Sequence, residues 1–177
     1  RYSKKIVSNS KSRVITYSIQ NKSSDHVAEV LNNKLDGLDL EIDGHHLKTK
    51  LSGYFNVYNL LAIYAVSTRI HSNKKEIFNA IVNLKNVFGR FNLIKVGDGI
   101  NVLIDYAHSP GAIQSIFDSV LKFKSINQSI ITVVGCGGNR DKGKRPQMGS
   151  ISYKNSDIVI FTADNPRDEN INDIIND

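Results

Sequence analysis

Apolar and polar residues follow two different periods in the first half of the chain. Around the Asp43-Gly44 pair they alternate with a period of two, which is typical of a β-hairpin with an Asp-Gly turn. Beyond Gly53 they recur every three or four positions, which predicts amphipathic helices. The predicted strands are residues 14–19, 38–42 and 45–51, and the predicted helices are residues 60–69 and 74–84.

In the second half, strands and helices alternate along the chain. A tight hairpin is predicted around Gly97-Asp98-Gly99, and apolar runs interpreted as buried strands then alternate with helices. The predicted strands are residues 93–96, 100–104, 129–134 and 157–162, and the predicted helices are residues 112–123, 146–153 and a last one that begins at 171. Because this order favours right-handed crossovers, we expect an α/β fold with a mainly parallel sheet.

Gly89 interrupts the helical pattern between the two halves and marks a candidate domain junction. The length of 177 residues is enough for one ordinary domain or two small ones. Hydrophobic residues make up 40% of the chain and charged residues 23%, which are the values of a globular protein. We therefore expect two folded parts, residues 1–88 and residues 89–177, with little disorder.

The charge and the cysteine content exclude several classes of protein. The net charge of +6 is spread along the chain without a basic stripe interleaved with aromatic residues, so we expect no nucleic-acid partner. The single cysteine, Cys136, cannot form an intramolecular disulfide and fits a reducing compartment, so a cytoplasmic location is expected. A thiol packed in a tight turn is favoured over a nucleophile at this position. No apolar run has the roughly 20 residues that a membrane span needs, so we expect no such span. We also expect a monomer.

Three loops that follow predicted strands carry the candidate chemistry. The loop of residues 135–146 combines glycines with four cations and then Pro146 at a helix start, which is typical of an anion site. The loop of residues 105–110 contains Asp105 and His108, and the loop of residues 164–169 contains Asn165 and Arg167. Ligands bind at the carboxyl edge of open parallel sheets. We therefore expect the three loops to meet in one ligand site.

Two further residues have both a structural and a functional interpretation. Asn56 stands near a predicted helix start, where N-capping is the common role of Asn, although its amide also suits a purine edge. Arg90 follows Gly89 and suits a phosphate clamp that engages on closure, but a surface arginine explains it equally simply. From the residues alone, the structural interpretation is favoured for both.

Taken in order, these segments resemble motifs of the Mur ligase family. The matching stretches are GYFNVYNLLA at residues 53–62, GRF at 89–91, DYAHSP at 105–110, the glycine-rich segment at 135–148 and DNPR at 164–167. Their order and spacing are those of the family from about residue 50 onward. The last motif resembles the members that add the third amino acid of the peptidoglycan stem peptide.

The resemblance implies a fold, an activity and a set of site residues. Residues 1–88 would form the end of a central ATP-binding domain, and residues 89–177 a truncated, Rossmann-like C-terminal domain for the incoming amino acid. The activity implied is ATP- and Mg²⁺-dependent ligation of meso-2,6-diaminopimelate to UDP-N-acetylmuramoyl-L-alanyl-D-glutamate through an acyl phosphate. The implied amino-acid site contains Arg140, Asp164, Asn165, Pro166 and Arg167, and the implied ATP site contains Asn56, Arg90, Asp105, Tyr106 and His108.

The sequence departs from the family's pattern in ways that limit these expectations. Asn92 stands where the family usually has Glu, Ser109 where it has Thr, and Gly111 where it has Asp. The chain has no Gly-Lys-Ser or Gly-Lys-Thr signature, and the resemblance places neither a metal ligand nor a catalytic residue within it. Since the chain starts at Arg1 without Met, we expect a piece of a longer protein that does not turn over by itself.

Alternatives remain open at this stage. Arginine pairs with the far carboxylate of diaminopimelate and repels the ammonium of lysine, which favours the first substrate, yet an L-lysine-adding homologue is the nearest alternative. A non-catalytic nucleotide-binding module is another, although residues 135–138 are not Gly-x-Gly-x-x-Gly. A basic nucleic-acid adaptor is the third.

Overall fold

The computed structural model describes residue 5 and residues 7–177. The beginning of the predicted first domain, residues 1–4 and 6, therefore lies outside the described residues. Contacts divide the chain into two compact units, the first ending at Val87 and the second running from Phe88 to Asp177. Each unit has its own hydrophobic core.

The first unit is a four-stranded sheet followed by two helices. The elements in chain order are β1 (Tyr17–Ser18), β2 (His26–Lys34), β3 (Gly37–Ile42), β4 (His45–Thr49), α1 (Tyr54–Ile70) and α2 (Lys74–Val82). The sheet has the order β1-β2-β3-β4, in which β1 is parallel to β2 and the other neighbours are antiparallel. The strand predicted at residues 14–19 is wrong in extent, because only Tyr17 and Ser18 pair with β2.

The predicted β3–β4 hairpin is confirmed, and its period of two explains the core. Leu38, Leu40 and Ile42 alternate along β3 and are at most 2% exposed. Asp43 and Gly44 both adopt left-handed backbone conformations, as the two central residues of a tight hairpin turn require. The buried residues that complete this core from β4, α1 and α2 are Leu47, Val57, Leu60, Leu61, Tyr64, Ile77 and Ile81.

The second unit alternates strands and helices as predicted. Its elements are β5 (Asn92–Gly97), β6 (Ile100–Ile104), α3 (Pro110–Phe123), β7 (Ile131–Val134), α4 (Lys144–Asn155), β8 (Ile158–Phe161) and α5 (Ile171–Asn176). Strands β5 and β6 form the predicted antiparallel hairpin, and β7 and β8 form a parallel pair. Among the described residues, these two strand pairs form separate two-stranded sheets.

The prediction that both parallel strands are buried is wrong for one of their faces. Ile131 and Ile158 are register partners, as are Val133 and Ile160, and all four side chains are about half exposed or more. The core of this unit lies elsewhere, around Ile113 and Phe117 of α3 and Met148 of α4, with Val134 packed against it. A continuous apolar run does not distinguish a strand covered on one face from one covered on both.

Two local features fix the start of the helix that follows β6. The hydroxyl oxygen of Ser109 accepts a hydrogen bond from the Ala112 N–H, and Pro110 occupies the first turn, so α3 begins at a regular N-cap.

Among the helices of the described residues, none is both long and apolar enough to cross a bilayer.

Candidate functional site

The glycine-rich loop after β7 and the DNPR loop after β8 are held against each other by backbone contacts. The Gly138 N–H donates to the Asn165 carbonyl at 2.9 Å, and the Arg167 guanidinium donates to the Gly138 carbonyl at 2.7 Å. A Cβ atom on Gly138 would lie 1.8 Å from the Pro166 carbonyl oxygen. Only glycine therefore permits this approach, which brings the two loops into direct contact.

Glu169 joins the same two loops through its side chain. Its carboxylate accepts two parallel hydrogen bonds from the Arg145 guanidinium, at 2.9 and 3.0 Å, and a third at 2.5 Å from the Asn139 N–H. Lys142 lies 3.1 Å from the same carboxylate. The Arg145 guanidinium, followed by the Asn139 N–H, lowers the pKa of Glu169 from its usual 4.5 to about 2.

These contacts correct the prediction of an open anion site on the glycine-rich loop. Of the four predicted cations, Arg145 is buried with Glu169 and Asp177, Lys142 pairs with Glu169, and Lys144 donates to the His108 carbonyl. The anion at this loop is thus the protein's own Glu169 carboxylate. Arg140 is exposed, and within the described part of the chain its side chain forms neither a hydrogen bond nor an ion pair.

The residues predicted to bind the amino acid lie on or beside this loop pair. A Cβ atom on Gly137 would be 2.9 Å from an Arg167 guanidinium nitrogen and 3.7 Å from an Asp164 carboxylate oxygen, so both side chains flank Gly137. Asp164, Asn165 and Arg167 are exposed. The backbone of Arg167 is left-handed, with φ of +50°, an uncommon conformation for a residue with a side chain. The loop pair therefore presents a guanidinium beside a carboxylate, which is complementary to a zwitterionic ligand.

Four of the residues predicted to contact ATP surround a turn at the start of the second unit. The Tyr106 N–H donates to the Gly89 carbonyl at 2.8 Å, and the Arg90 guanidinium carbon lies 5.7 Å from the centre of the Tyr106 ring. Tyr106 is 63% exposed, and Arg90 is exposed as well. An exposed ring beside an exposed guanidinium fits a nucleotide, since the ring can stack and the guanidinium can pair with phosphate.

Asp105 and His108 have contacts of their own in this region. An oxygen of the Asp105 carboxylate accepts a hydrogen bond from the Phe91 N–H at 2.7 Å, which fixes the turn at residues 89–91. His108 is exposed, and its Nδ1 lies 3.0 Å from the Tyr106 carbonyl oxygen. The Lys144 ammonium donates to the His108 carbonyl at 2.8 Å. This bond connects the loop of residues 105–110 to the glycine-rich loop, so the structure brings all three strand-end loops together.

Asn56 belongs to the first unit, and its predicted role as an N-cap is wrong. Helix α1 begins at Tyr54 after Gly53 and has no side-chain cap. Asn56 lies within the first turn, where its side-chain amide donates to the Ser52 carbonyl at 2.7 Å and its amide oxygen accepts from Asn59 at 3.0 Å. The side chain is buried, and it ties the first turn of α1 to the preceding segment.

Cys136 is packed rather than activated. Its sulfur lies 3.9 Å from that of Met148, and it contacts the core of the second unit. Burial raises the pKa of the thiol, and the nearby cations Lys144 and Arg145 offset this only in part. A raised pKa disfavours the thiolate, so the structure supports a packing role.

No group of three or more His, Cys, Asp or Glu side chains in the described part of the chain is placed to hold an ion. The Mg²⁺ implied by the resemblance therefore has no clustered set of ligands among the described residues.

The family model of the Mur ligase glutamate ligase domain matches residues 89–177, and the model of the Mur ligase middle domain matches residues 1–67. This chain belongs to the Mur ligase family.

Relatives of this chain within the Mur ligase family share one name. The chain is 40% identical over 172 residues to the UDP-N-acetylmuramoyl-L-alanyl-D-glutamate–2,6-diaminopimelate ligase of Parabacteroides distasonis, covering 97% of this chain and 35% of the relative. A solved structure of a ligase with the same name superposes with a TM-score of 0.56 at 29% identity, covering 90% of this chain and 33% of the other. The chain thus spans about a third of the length of these relatives.

A more distant Mur ligase supports the fold alone. MurF of Acinetobacter baumannii superposes with a TM-score of 0.72 at 14% identity, over 92% of this chain and 37% of the other. The α/β fold class is therefore confirmed for this chain.

The sequence of this Mur ligase did not predict the ion pair between Arg145 and Glu169 that connects the two loops. The sequence pattern identifies Arg145 as one of four cations of the glycine-rich loop and assigns no role to Glu169 in the loop of residues 164–169. The two residues are 24 positions apart, so no helical or strand period relates them. The sequence feature that could have indicated the pair is the Glu169 carboxylate two residues after the DNPR motif. Its partner can be inferred only once the two loops are known to be in contact.

Proposed function

We propose that this chain is part of an ATP-dependent ligase that adds meso-2,6-diaminopimelate to UDP-N-acetylmuramoyl-L-alanyl-D-glutamate in peptidoglycan synthesis. Residues 1–88 would belong to the central ATP-binding domain, and residues 89–177 to the domain that binds the incoming amino acid. The relatives, which are named as ligases of this reaction, support it. A cytoplasmic location is part of the proposal, since the unpaired thiol of Cys136 suits a reducing compartment.

The observation that carries the proposal is the exposed Arg167 guanidinium beside the Asp164 carboxylate on the paired loops. Diaminopimelate has an ammonium and a carboxylate at each end. Arg167, with Arg140 from the neighbouring loop, would pair with carboxylates through the planar guanidinium fork, and Asp164 would pair with an ammonium. Asn165 and Pro166 would shape the same pocket, because their carbonyls already line the contact with Gly138.

ATP would be held by the residues around the turn at Gly89. The Tyr106 ring and the Arg90 guanidinium offer a stacking surface and a phosphate partner, His108 offers a ring nitrogen, and Asp105 fixes the turn. Asn56 is proposed as an ATP contact from the resemblance of residues 53–62 alone. ATP supplies the phosphoryl group: the terminal carboxylate of the dipeptide takes the γ-phosphoryl group to give an acyl phosphate and ADP, and the diaminopimelate amine then displaces phosphate. The bound ATP would carry Mg²⁺ as its metal ion.

Substrate choice by the complete ligase tests this proposal, because residues 1–177 alone are expected to lack turnover. ADP release that depends on UDP-N-acetylmuramoyl-dipeptide is measured with meso-diaminopimelate and with L-lysine. Lysine lacks the distal carboxylate and brings an ammonium to the arginines, so we expect diaminopimelate to be favoured by roughly 100-fold in kcat/KM. A ligase that prefers lysine would support the lysine-adding alternative, and a protein that releases no ADP with either amino acid would contradict the proposal.

A further inference from the structure

The ion pair between Arg145 and Glu169 is the most buried charged contact in the second unit among the described residues. The Arg145 side chain is 2% exposed and that of Glu169 is 16% exposed, and both guanidinium nitrogens Nη1 and Nη2 are used. Arg145 also donates to the Asp177 carboxylate at 2.6 Å. Removing one member of such a pair leaves the other charge buried without its partner, which destabilises the structure around it.

This ion pair, together with the Asn139 N–H, connects the glycine-rich loop and the start of α4 to the segment that follows the DNPR motif. Arg145 stands in the first turn of α4, Glu169 follows the DNPR motif, and the Asn139 N–H, which donates to Glu169, belongs to the glycine-rich loop. The Asn139 side chain adds a 2.7 Å hydrogen bond to Asp168. A displacement of the Glu169 carboxylate would therefore move both loops that carry the proposed amino-acid site.

The loops held by this ion pair contain uncommon backbone conformations. Arg167 and Asn139 both have positive φ, at +50° and +53°. A left-handed conformation at a residue other than glycine is unfavourable and persists when the surroundings enforce it. Arg167 lies two residues before Glu169, whose own N–H donates to the Pro166 carbonyl at 3.0 Å. The ion pair is thus in a position to enforce the Arg167 conformation.

We propose that Glu169, held by Arg145, is a positioning residue for the incoming amino acid. It fixes the DNPR loop against the glycine-rich loop so that the Arg167 guanidinium stands at the carboxylate-binding position before the substrate arrives. This inference rests on the proposed function, in that it assigns the amino-acid site to these loops. Preorganisation of this kind lowers the KM of one substrate and leaves the binding of the others unchanged.

The test separates positioning from general stability in the complete ligase. Glu169→Gln keeps the size of the side chain and removes its charge, and Glu169→Asp keeps the charge and shortens the reach. Lys124→Gln is the matched control, because it removes a different ion pair of the same unit. Lys124 pairs with Asp157 at 2.9 Å, and the Asp157 carboxylate also accepts from the Ile130 N–H just before β7. KM for each of the three substrates, kcat and the thermal midpoint are measured for every variant.

We expect Glu169→Gln to raise KM for diaminopimelate about tenfold, with KM for ATP and for the UDP-dipeptide changed by less than about twofold. Glu169→Asp should lie between Glu169→Gln and the wild type, and it decides the matter if Glu169→Gln does not fold. Lys124→Gln should leave all three KM values unchanged. Unchanged kinetics in both Glu169 variants would overturn the proposal, as would a uniform change in all three KM values that follows the fall in thermal midpoint.

The outcomes also separate this inference from the proposed function. If the wild-type ligase accepts another amino acid and not diaminopimelate, the proposed function fails, while a selective rise in KM for that amino acid would still support positioning by Glu169. If the wild type uses diaminopimelate and its KM does not respond to either Glu169 variant, the positioning role alone is refuted.

Discussion

The Glu169 carboxylate shows how one residue can change the meaning of a motif. Glycines, cations and a helix start indicated a site for an external anion, and the structure fills it with an acid from the neighbouring loop. The residue types and the preference of the loop for an anion were thus predictable from sequence. The identity of the anion was not, because it depends on a contact between residues 139 and 169 that no local pattern encodes.

The lowered pKa of Glu169 predicts a pH dependence of stability. The Arg145 guanidinium holds this pKa at about 2 in the folded chain, below the usual 4.5. A lowered folded-state pKa means that the unfolded state binds the proton more readily, so the contribution is full above about pH 4.5 and is lost as the pH falls through about 2.

The thermal midpoints of the wild-type ligase and of Glu169→Gln provide the measurement. The wild type is expected to be the more stable of the two at about pH 6, and the difference should shrink steadily between about pH 4.5 and pH 2. A difference that stays constant over this range would show that the Glu169 charge does not contribute.

At the scale of elements, local signals were reliable where they fixed both period and turn. The β3–β4 hairpin followed from alternation around Asp43-Gly44. The start of α3 was predicted two residues late, at 112, because the apolar period does not report the Ser109 cap or Pro110 in the first turn. Burial of β7 and β8 was not predictable in the same way. An apolar run reports that a strand is apolar, whereas the number of its faces that are covered depends on which other elements pack there.

Contact between the two loops depends on the absence of a side chain at Gly138. Gly138→Ala would place a Cβ atom 1.8 Å from the Pro166 carbonyl oxygen, so the loops must separate. We expect a loss of at least ~2 kcal/mol of stability, as for other overpacked sites, together with weaker diaminopimelate binding.

Gly111→Ala is the matched control for this substitution. Gly111 lies in the first turn of α3, and a Cβ atom there would meet nothing within 4 Å. Because alanine is the better helix former, this variant should be neutral or more stable by about 0.5–1 kcal/mol. Urea unfolding of both variants provides the comparison, and equal stabilities would argue against the close approach of the two loops.

At the scale of the whole molecule, two units with separate cores divide the proposed work. The first contributes a sheet, two helices and the buried Asn56, and the second contributes the loop pair and the turn at Gly89. Membership of the Mur ligase family accounts for this succession of domain types along the chain. Since the chain spans about a third of the length of its relatives, its function is best tested in the complete ligase.

The central claim is that Arg167 binds a carboxylate of the incoming amino acid, and calorimetry of meso-diaminopimelate binding to the complete ligase tests it most directly. Arg167→Asn removes the guanidinium and retains a residue that tolerates the left-handed backbone. Arg167→Lys keeps the charge without the fork, and Lys95→Ala removes a cation from exposed β5 as the control. We predict that Arg167→Asn weakens binding about 10- to 100-fold, Arg167→Lys less, and Lys95→Ala not at all. An unchanged affinity in Arg167→Asn would contradict the account.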